Sequence, residues 1–266
     1  MTRLTGLYVP GDRPDRFEKA VNSGADLVVF DLEDAVAPAA KAPARSLVVS
    51  WLQDRAESLG IGVEVRVNAG DVDDLRAVAD LPPSVGIRLP KTENPTLLDD
   101  VAAHIGDRPL TALLESARAV LDARAIAEHP AVTAIALGES DLRSQLGGGE
   151  PVLDHARLTA VFAARAAGLD APMISVFPRI ADEAGLIADT RRGADLGLVG
   201  RMAVHPRQLA PIRAVFAPTP GEIAWAQEVQ SALEAGGVAT LRSGEMVDPA
   251  MQGRAIAILR AAEQHG

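Results

Sequence analysis

Apolar residues along this chain fall in short runs, each followed by a longer stretch in which apolar and polar positions recur at helical spacing. The runs Leu4–Val9, Asp26–Phe30, Gly62–Val67, Val85–Leu89, Leu110–Leu114, Val132–Leu137, Pro172–Val176 and Leu196–Met202 read as strands. The stretches between them read mostly as helices, among them Arg13–Asn22, Ala39–Gln53, Pro95–Ile105, Ala117–Glu128 and Leu153–Ala167. Eight strand-then-helix units predict parallel strands joined by crossovers. A closed TIM (β/α)8 barrel over residues 1–217 is the expected α/β fold, with an open doubly wound sheet as the alternative. Residues 218–266 differ, with a helix over Gly221–Gly236, a turn-rich stretch over Ser243–Pro249 and a last helix over Met251–Glu263. These extra helices are expected to be an extension of the same domain that forms a lid or a subunit-crossing arm.

Composition narrows the classes of function. A length of 266 residues with 48% hydrophobic content suits one barrel domain with a full core. The net charge is −10 with no basic run, so nucleic acid is an unexpected partner. Aromatics make up only 3%, which argues against a platform for stacking bases. The absence of cysteine removes disulfides, zinc–thiolate sites and thiol nucleophiles, and it is compatible with a cytoplasmic location. Residues 1–10 lack the basic start and apolar core of a signal peptide. No apolar run reaches the roughly 18 residues that a membrane helix needs.

Barrel enzymes carry their chemistry at the C-terminal ends of strands. The sequence there reads Pro10-Gly11-Asp12-Arg13, Asp31-Leu32-Glu33-Asp34, Arg66-Val67-Asn68, Pro90-Lys91, Glu115-Ser116, Gly138-Glu139-Ser140-Asp141, Phe177-Pro178-Arg179 and His205-Pro206. Every predicted strand thus ends in polar or charged groups beside turn residues, and this asymmetry points to an enzyme. Glu115 and Asp141 follow adjacent strands, which lie ~5 Å apart, so the two carboxylates can share one cation. Hard oxygen donors favour Mg²⁺; two solvated loop carboxylates are the bland alternative. Arg66 ends an apolar strand, where an unpaired guanidinium is costly. It either pairs with the Asp31, Glu33 and Asp34 cluster or grips a substrate carboxylate, and the two roles are compatible. His205-Pro206 reads as the start of a helix, with catalysis as the other possibility.

These residues together resemble the citrate lyase β-subunit-like (CitE-like) family of the HpcH/HpaI aldolase and malyl-CoA lyase superfamily. The resemblance is carried by Val9 to Arg16, by Ala25 to Val36, by Lys41 with Ala44-Arg45, and by Arg66-Val67-Asn68 and Leu89-Pro90-Lys91. Leu114 to Ala117, Asp141-Leu142, His205 to Gln208 and Met246-Val247-Asp248 continue it in the same order. It implies a TIM barrel, a homotrimer or dimer of trimers, Mg²⁺, and acyl-CoA and 2-oxo acid substrates. By position Glu115 and Asp141 match metal ligands, and Arg66 matches the arginine that holds the substrate acid. Glu33 and Asp34 match a carboxylate pair behind that arginine. Asp248 resembles an acid delivered by a neighbouring subunit's lid. Arg13, Lys19 and Lys41 match residues near the CoA phosphates, and Gly138, Glu139 and Ser140 fall to substrate binding.

The sequence departs from the family pattern before Asp141, in the short Gly147-Gly148-Gly149 stretch, and at the seventh strand end. The reaction implied is cleavage, or formation, of a 3-hydroxyacyl-CoA such as citryl-CoA or malyl-CoA through an acetyl-CoA enolate. The alternatives are a class II aldolase acting on free 2-oxo acids, and a non-catalytic or partner-dependent subunit of a citrate lyase complex.

Overall fold

The computed structural model describes the backbone of residues 3–235 and 239–265. Seven parallel strands form one curled sheet: β1 (Thr5–Pro10), β2 (Leu27–Asp31), β3 (Gly62–Arg66), β4 (Val85–Leu89), β5 (Leu110–Leu114), β6 (Ala134–Leu137) and β7 (Arg201–Ala203). Their order is β6-β5-β4-β3-β2-β1-β7, so from β1 to β6 each strand lies beside the next in sequence. Strands β2, β4 and β5 are buried at every position, as a parallel sheet covered on both faces requires. Two of the predicted strands, Val85–Leu89 and Leu110–Leu114, coincide with the observed ones, and four others shift by a residue or two. Leu196–Met202 is shorter than expected, pairing only over Arg201–Ala203.

The expected seventh strand is corrected by the structure. Residues 172–176 make a single parallel bridge, Ile174 to Arg201, and no ladder. Pro172 and Pro178 bound this segment, and proline both lacks an N–H and resists a central strand position. The segment nevertheless spans the gap between the sheet edges. Ile174 N–H donates to Gly200 O at 3.0 Å and Met202 N–H to Ile174 O at 2.9 Å. On the other side the Ser175 hydroxyl donates to the Leu137 carbonyl of β6.

Helices cover the outer face: α1 (Phe17–Val21), α2 (Lys41–Gln53), α3 (Val72–Ala79), α4 (Pro95–Ile105), α5 (Ala117–Leu121), α6 (Ala123–Ala127), α7 (Glu139–Leu146), α8 (Glu150–Ala166), α9 (Glu183–Asp195) and α10 (Leu209–Phe216). The helix expected over Ala117–Glu128 is split into α5 and α6 at Asp122, whose ψ of 8° leaves the helical region. Asn94 and Ser116 cap α4 and α5 by accepting amide N–H groups at 3.1 Å.

The chain divides into two compact units, Met1–Arg213 and Ala214–Gly266. The second holds α11 (Pro220–Ala235), a two-stranded antiparallel pair, β8 (Ala239–Thr240) and β9 (Met246–Val247), and α12 (Gln252–His265). The expected helix end at Gly236 lies outside the described residues. Ala226, Val229, Leu241, Val247 and Ala255 make a small core of its own, closed by Arg254 stacked on Trp225 at 4.5 Å. Among the described residues no helix is long and apolar enough to cross a membrane.

Candidate active site

Register places the chemistry. Pro10 pairs with Asp31, Asp31 with Arg66, and Arg66 with Arg88 across β1 to β4. Paired residues of parallel strands share a face, so these side chains line the inside of the curl at one level. Glu115 and Gly138 each stand one residue beyond the Leu114–Leu137 pair of β5 and β6. The same end opens into a cavity of about 850 Å³ lined by residues from all seven strands or the loops that follow them.

Arg66 is the hub. Its Nε and Nη2 donate to Asp31 Oδ1 and Oδ2 at 2.7 and 2.6 Å, a bidentate clamp. Its Nη1 lies 3.0 Å from Glu33 and 3.3 Å from Asp34. Burial works against the guanidinium charge, yet the Asp31 hydrogen bonds and the surrounding carboxylates raise its pKa further. The pairing foreseen for Arg66 is therefore present, with Asp31 fixing the fork and Glu33 and Asp34 flanking Nη1, and the residue also lines the cavity. Glu33 bridges Arg66 and the Lys91 ammonium, the latter at 3.0 Å, and burial raises its carboxyl against the pull of both cations. Asp34 is exposed and lines the cavity.

Glu115 is 7% exposed. Its Oε1 accepts the Lys91 N–H at 2.5 Å. Lys91 reaches that position with a φ of 52°, in the left-handed region that costs a non-glycine residue roughly 1 kcal/mol or more. Burial first, then the charges of Glu33 and Asp141, push the Glu115 carboxyl up to about 7. Gly138 is packed against it, for a Cβ there would run into the Glu115 Cβ and come within 2.6 Å of its Oε2. Asp141, in the first turn of α7, is exposed and has no hydrogen bond or ion pair among the described residues. Asp31, Glu33, Asp34, Glu115 and Asp141 thus gather around Arg66 and Lys91, while Arg13, Arg16, Lys19 and Arg88 line the same cavity. No group of three or more His, Cys, Asp or Glu converges as a complete metal cage among the described residues. The protein thus offers a carboxylate pair, not a closed site.

The other expected site residues are distributed unevenly. Gly138, Glu139 and Ser140 all line the cavity, but the Glu139 carboxylate is committed elsewhere. It takes Nε and Nη2 of the fully buried Arg157 at 2.9 and 2.6 Å, which pins the first turn of α7 to α8. Arg13 and Lys19 stand on the cavity wall, Arg13 in a two-point pair with Asp15 at 3.0 and 2.9 Å. Lys41 lies outside this cavity; its ammonium donates to the carbonyls of Leu32 and Glu33 at 2.9 and 2.6 Å and holds the β2 turn. Asp248, in the second unit, is exposed and accepts the Ala250 N–H at 2.8 Å ahead of α12. His205 lines the cavity, but its Nδ1 accepts the Arg207 N–H at 3.1 Å, and Pro206 opens a helical turn as the dipeptide suggested.

Sequence reasoning passed over Asp31, Lys91 and Tyr8 as individual residues. Asp31 was hidden inside an acidic turn. Lys91 acts through its backbone N–H as well as its side chain. Tyr8 is the only tyrosine of the chain, and its ring lies 5.1 Å from the Arg66 guanidinium carbon.

A clamped arginine and a carboxylate pair thus stand at the mouth of an α/β sheet. The chain belongs to the HpcH/HpaI aldolase/citrate lyase family, whose model matches residues 4–206. It is 38% identical over 237 residues to a (3S)-malyl-CoA thioesterase of Cereibacter sphaeroides, covering 86% of this chain and 82% of that protein. It is 34% identical to the citrate lyase subunit beta of Leuconostoc mesenteroides subsp. cremoris, over 98% of this chain and 93% of the other. The structure resembles that of CitE from Mycobacterium tuberculosis in complex with magnesium, acetoacetate and coenzyme A, with a TM-score of 0.86, 31% identity and 98% of each chain covered.

Proposed function

We propose that this chain is a Mg²⁺-dependent carbon–carbon lyase that cleaves, or in reverse forms, a 3-hydroxyacyl-CoA of the citryl-CoA or malyl-CoA kind. The observation that carries the reading is the Glu115 and Asp141 pair facing the same cavity as an arginine clamped by Asp31. The residues fit a hard divalent cation. They offer oxygen donors, and burial first, then the charges of Glu33 and Asp141, raise the Glu115 carboxyl to about 7, an opposition to ionisation that a bound cation would relieve. Glu115 and Asp141 would hold Mg²⁺, which would polarise the substrate's hydroxyl or carbonyl oxygen.

Arg66, fixed by Asp31 and lining the cavity, binds the acid end, and Glu33 keeps Arg66 and Lys91 in place. Asp34, the cavity-facing carboxylate beside Arg66, takes the proton of the C3 hydroxyl. The C2–C3 bond then breaks and its electron pair goes to C2. C3 becomes the carbonyl carbon of a 2-oxo acid or aldehyde, and C2 becomes the enolate carbon of acetyl-CoA. A proton returned to C2 completes acetyl-CoA, and Asp248 of a neighbouring copy supplies it in the homotrimer that the resemblance implies. Arg13 and Lys19 meet the CoA phosphates at the cavity wall, and residues 172–176 close the sheet into a barrel around the substrate. Residues 218–266 act as the lid or subunit-crossing arm, in a cytoplasmic enzyme.

The relative that is a malyl-CoA thioesterase favours a second reading, in which thioester hydrolysis follows or replaces cleavage. A coupled assay of the purified chain with Mg²⁺ across citryl-, malyl-, citramalyl- and 3-hydroxyglutaryl-CoA separates the two. The lyase reading expects acetyl-CoA and a carbonyl product in equal amounts. Free CoA released without C–C cleavage would establish the thioesterase instead. Cleavage of free acids without the thioester would make the chain a class II aldolase, and turnover only after adding other subunits would make it a partner-dependent component.

A further inference from the structure

Arg88 has no task in the chemistry above, yet it lines the same cavity. It is 3% exposed. Its Nε donates to Glu64 Oε2 at 2.8 Å. Glu64 is shared, since its Oε1 also accepts the Thr111 hydroxyl at 3.0 Å and lies 3.9 Å from Arg3 Nη1. Among the described residues the Glu64 bond is made by Nε alone; the two terminal nitrogens of Arg88 make no hydrogen bond, and the residue lines the cavity. A buried guanidinium with free donor edges is costly unless water or an anion meets it.

The residue beside it is equally underused. The Tyr8 ring lies 5.8 Å from the Arg88 guanidinium carbon and 5.1 Å from that of Arg66. Its phenol has no hydrogen-bond partner among the described residues and also lines the cavity. The register pair Arg66–Arg88 puts the two guanidinium groups on neighbouring strands facing one side, and the Tyr8 ring is within cation–π distance of both. Around Tyr8 the wall is apolar, with Met173, Val176 and Met202 in the same cluster. One cationic point thus belongs to the reacting end of the acid, and a second sits on the same wall, bordered by methylene-compatible surface.

We propose that Arg88 and Tyr8 form a subsite for a second carboxylate, so that the acid released by cleavage is a 2-oxo dicarboxylic acid and not a monocarboxylic one. Arg88 contributes its paired terminal N–H groups and Tyr8 its O–H, while Glu64 keeps the arginine aimed. This rests on the lyase reading for the place of the first carboxylate at Arg66.

The test compares affinities by calorimetry with Mg²⁺ present, each diacid against the monoacid of equal chain length. Oxaloacetate is set against 2-oxobutyrate, and 2-oxoglutarate against 2-oxopentanoate. The ratio within a pair is the readout, so general damage to the site cancels. Wild-type protein is expected to favour at least one diacid by 10-fold or more. Tyr8→Phe, which keeps the ring, should lower that ratio several-fold, and Arg88→Lys should keep part of it. Arg88→Met with Glu64→Gln, which removes the buried pair together, should bring the ratio close to one. A wild-type ratio near one overturns the proposal, and so does a ratio that survives the double replacement or Tyr8→Phe undiminished. The lyase reading fails separately: diacid preference without cleavage of any thioester refutes that reading alone. Thioesters that yield a monoacid being cleaved faster than those that yield a diacid would refute the subsite alone.

Discussion

Glu115→Gln tests whether the carboxylate pair is built for a cation. In the metal-free protein Glu115 titrates near 7 against an ordinary value of 4.5, because burial and the charges of Glu33 and Asp141 oppose its ionisation. At ~1.4 kcal/mol per unit, the cost of ionising it in the folded state is at most ~3.5 kcal/mol. Water at the cavity mouth lowers the realistic figure to ~2 kcal/mol. The sign follows from proton uptake. Between pH 4.5 and about 7 the folded chain holds a proton that the unfolded chain has released, so stability falls as pH rises through that window and is level above it. Gln has the same shape, still accepts the Lys91 N–H, and carries no charge. In EDTA at pH 8 the variant is therefore expected to melt ~4 °C higher than wild type, at ~2 °C per kcal/mol for a chain of this size. The two should converge below pH 5. Mg²⁺ at a hundred times its dissociation constant should stabilise wild type by ~2.7 kcal/mol and the variant far less. Thermal melts at several pH values, with EDTA or Mg²⁺, measure all of this. An unchanged or lower Tm for Glu115→Gln in EDTA at pH 8, or equal stabilisation of both proteins by Mg²⁺, would refute the reasoning.

Other expectations follow from the same geometry. Arg66→Lys keeps the charge but loses the two-point contact with Asp31, so kcat/KM on the preferred thioester should fall on the order of 10²-fold, a loss of ~3 kcal/mol; an undiminished kcat/KM would show that another group holds the acid. Gly138→Ala drives a methyl group into Glu115, so Mg²⁺ affinity measured by calorimetry should drop at least 10-fold, and wild-type affinity would mean that Glu115 is not a ligand. For Asp248, mixing inactive Asp248→Ala and Arg66→Ala proteins under subunit exchange should restore part of the activity if the acid is delivered between copies. No recovery despite demonstrated exchange would count against that delivery, and an active Asp248→Ala protein would remove the residue from the reaction.

By itself the sequence determined the parallel α/β class, because alternation of short apolar runs with helical spacing is a local property that needs no contacts to read. Six of the eight expected strands appear within a residue or two, and residues at their ends line the cavity. Arg66, Glu115 and Asp141 stand at the cavity for that reason, and the pairing of Arg66 with the acidic turn follows from its place at the end of the next strand. Tertiary structure decided what local pattern cannot hold. Whether 172–176 is a strand depends on a neighbour to pair with, and its flanking prolines leave it one bridge and a serine hydroxyl. Glu139 and Asp141 are two residues apart in one acidic run, yet one is drawn to a buried arginine on α8 and the other stands at the cavity. Lys91 matters through a backbone N–H whose direction only a positive φ sets. The Glu64–Arg88 pair and the Tyr8 ring look like ordinary strand residues in the sequence. They become a charged wall only because strand register brings their side chains to one face of a curved sheet, where burial makes each unpaired donor expensive.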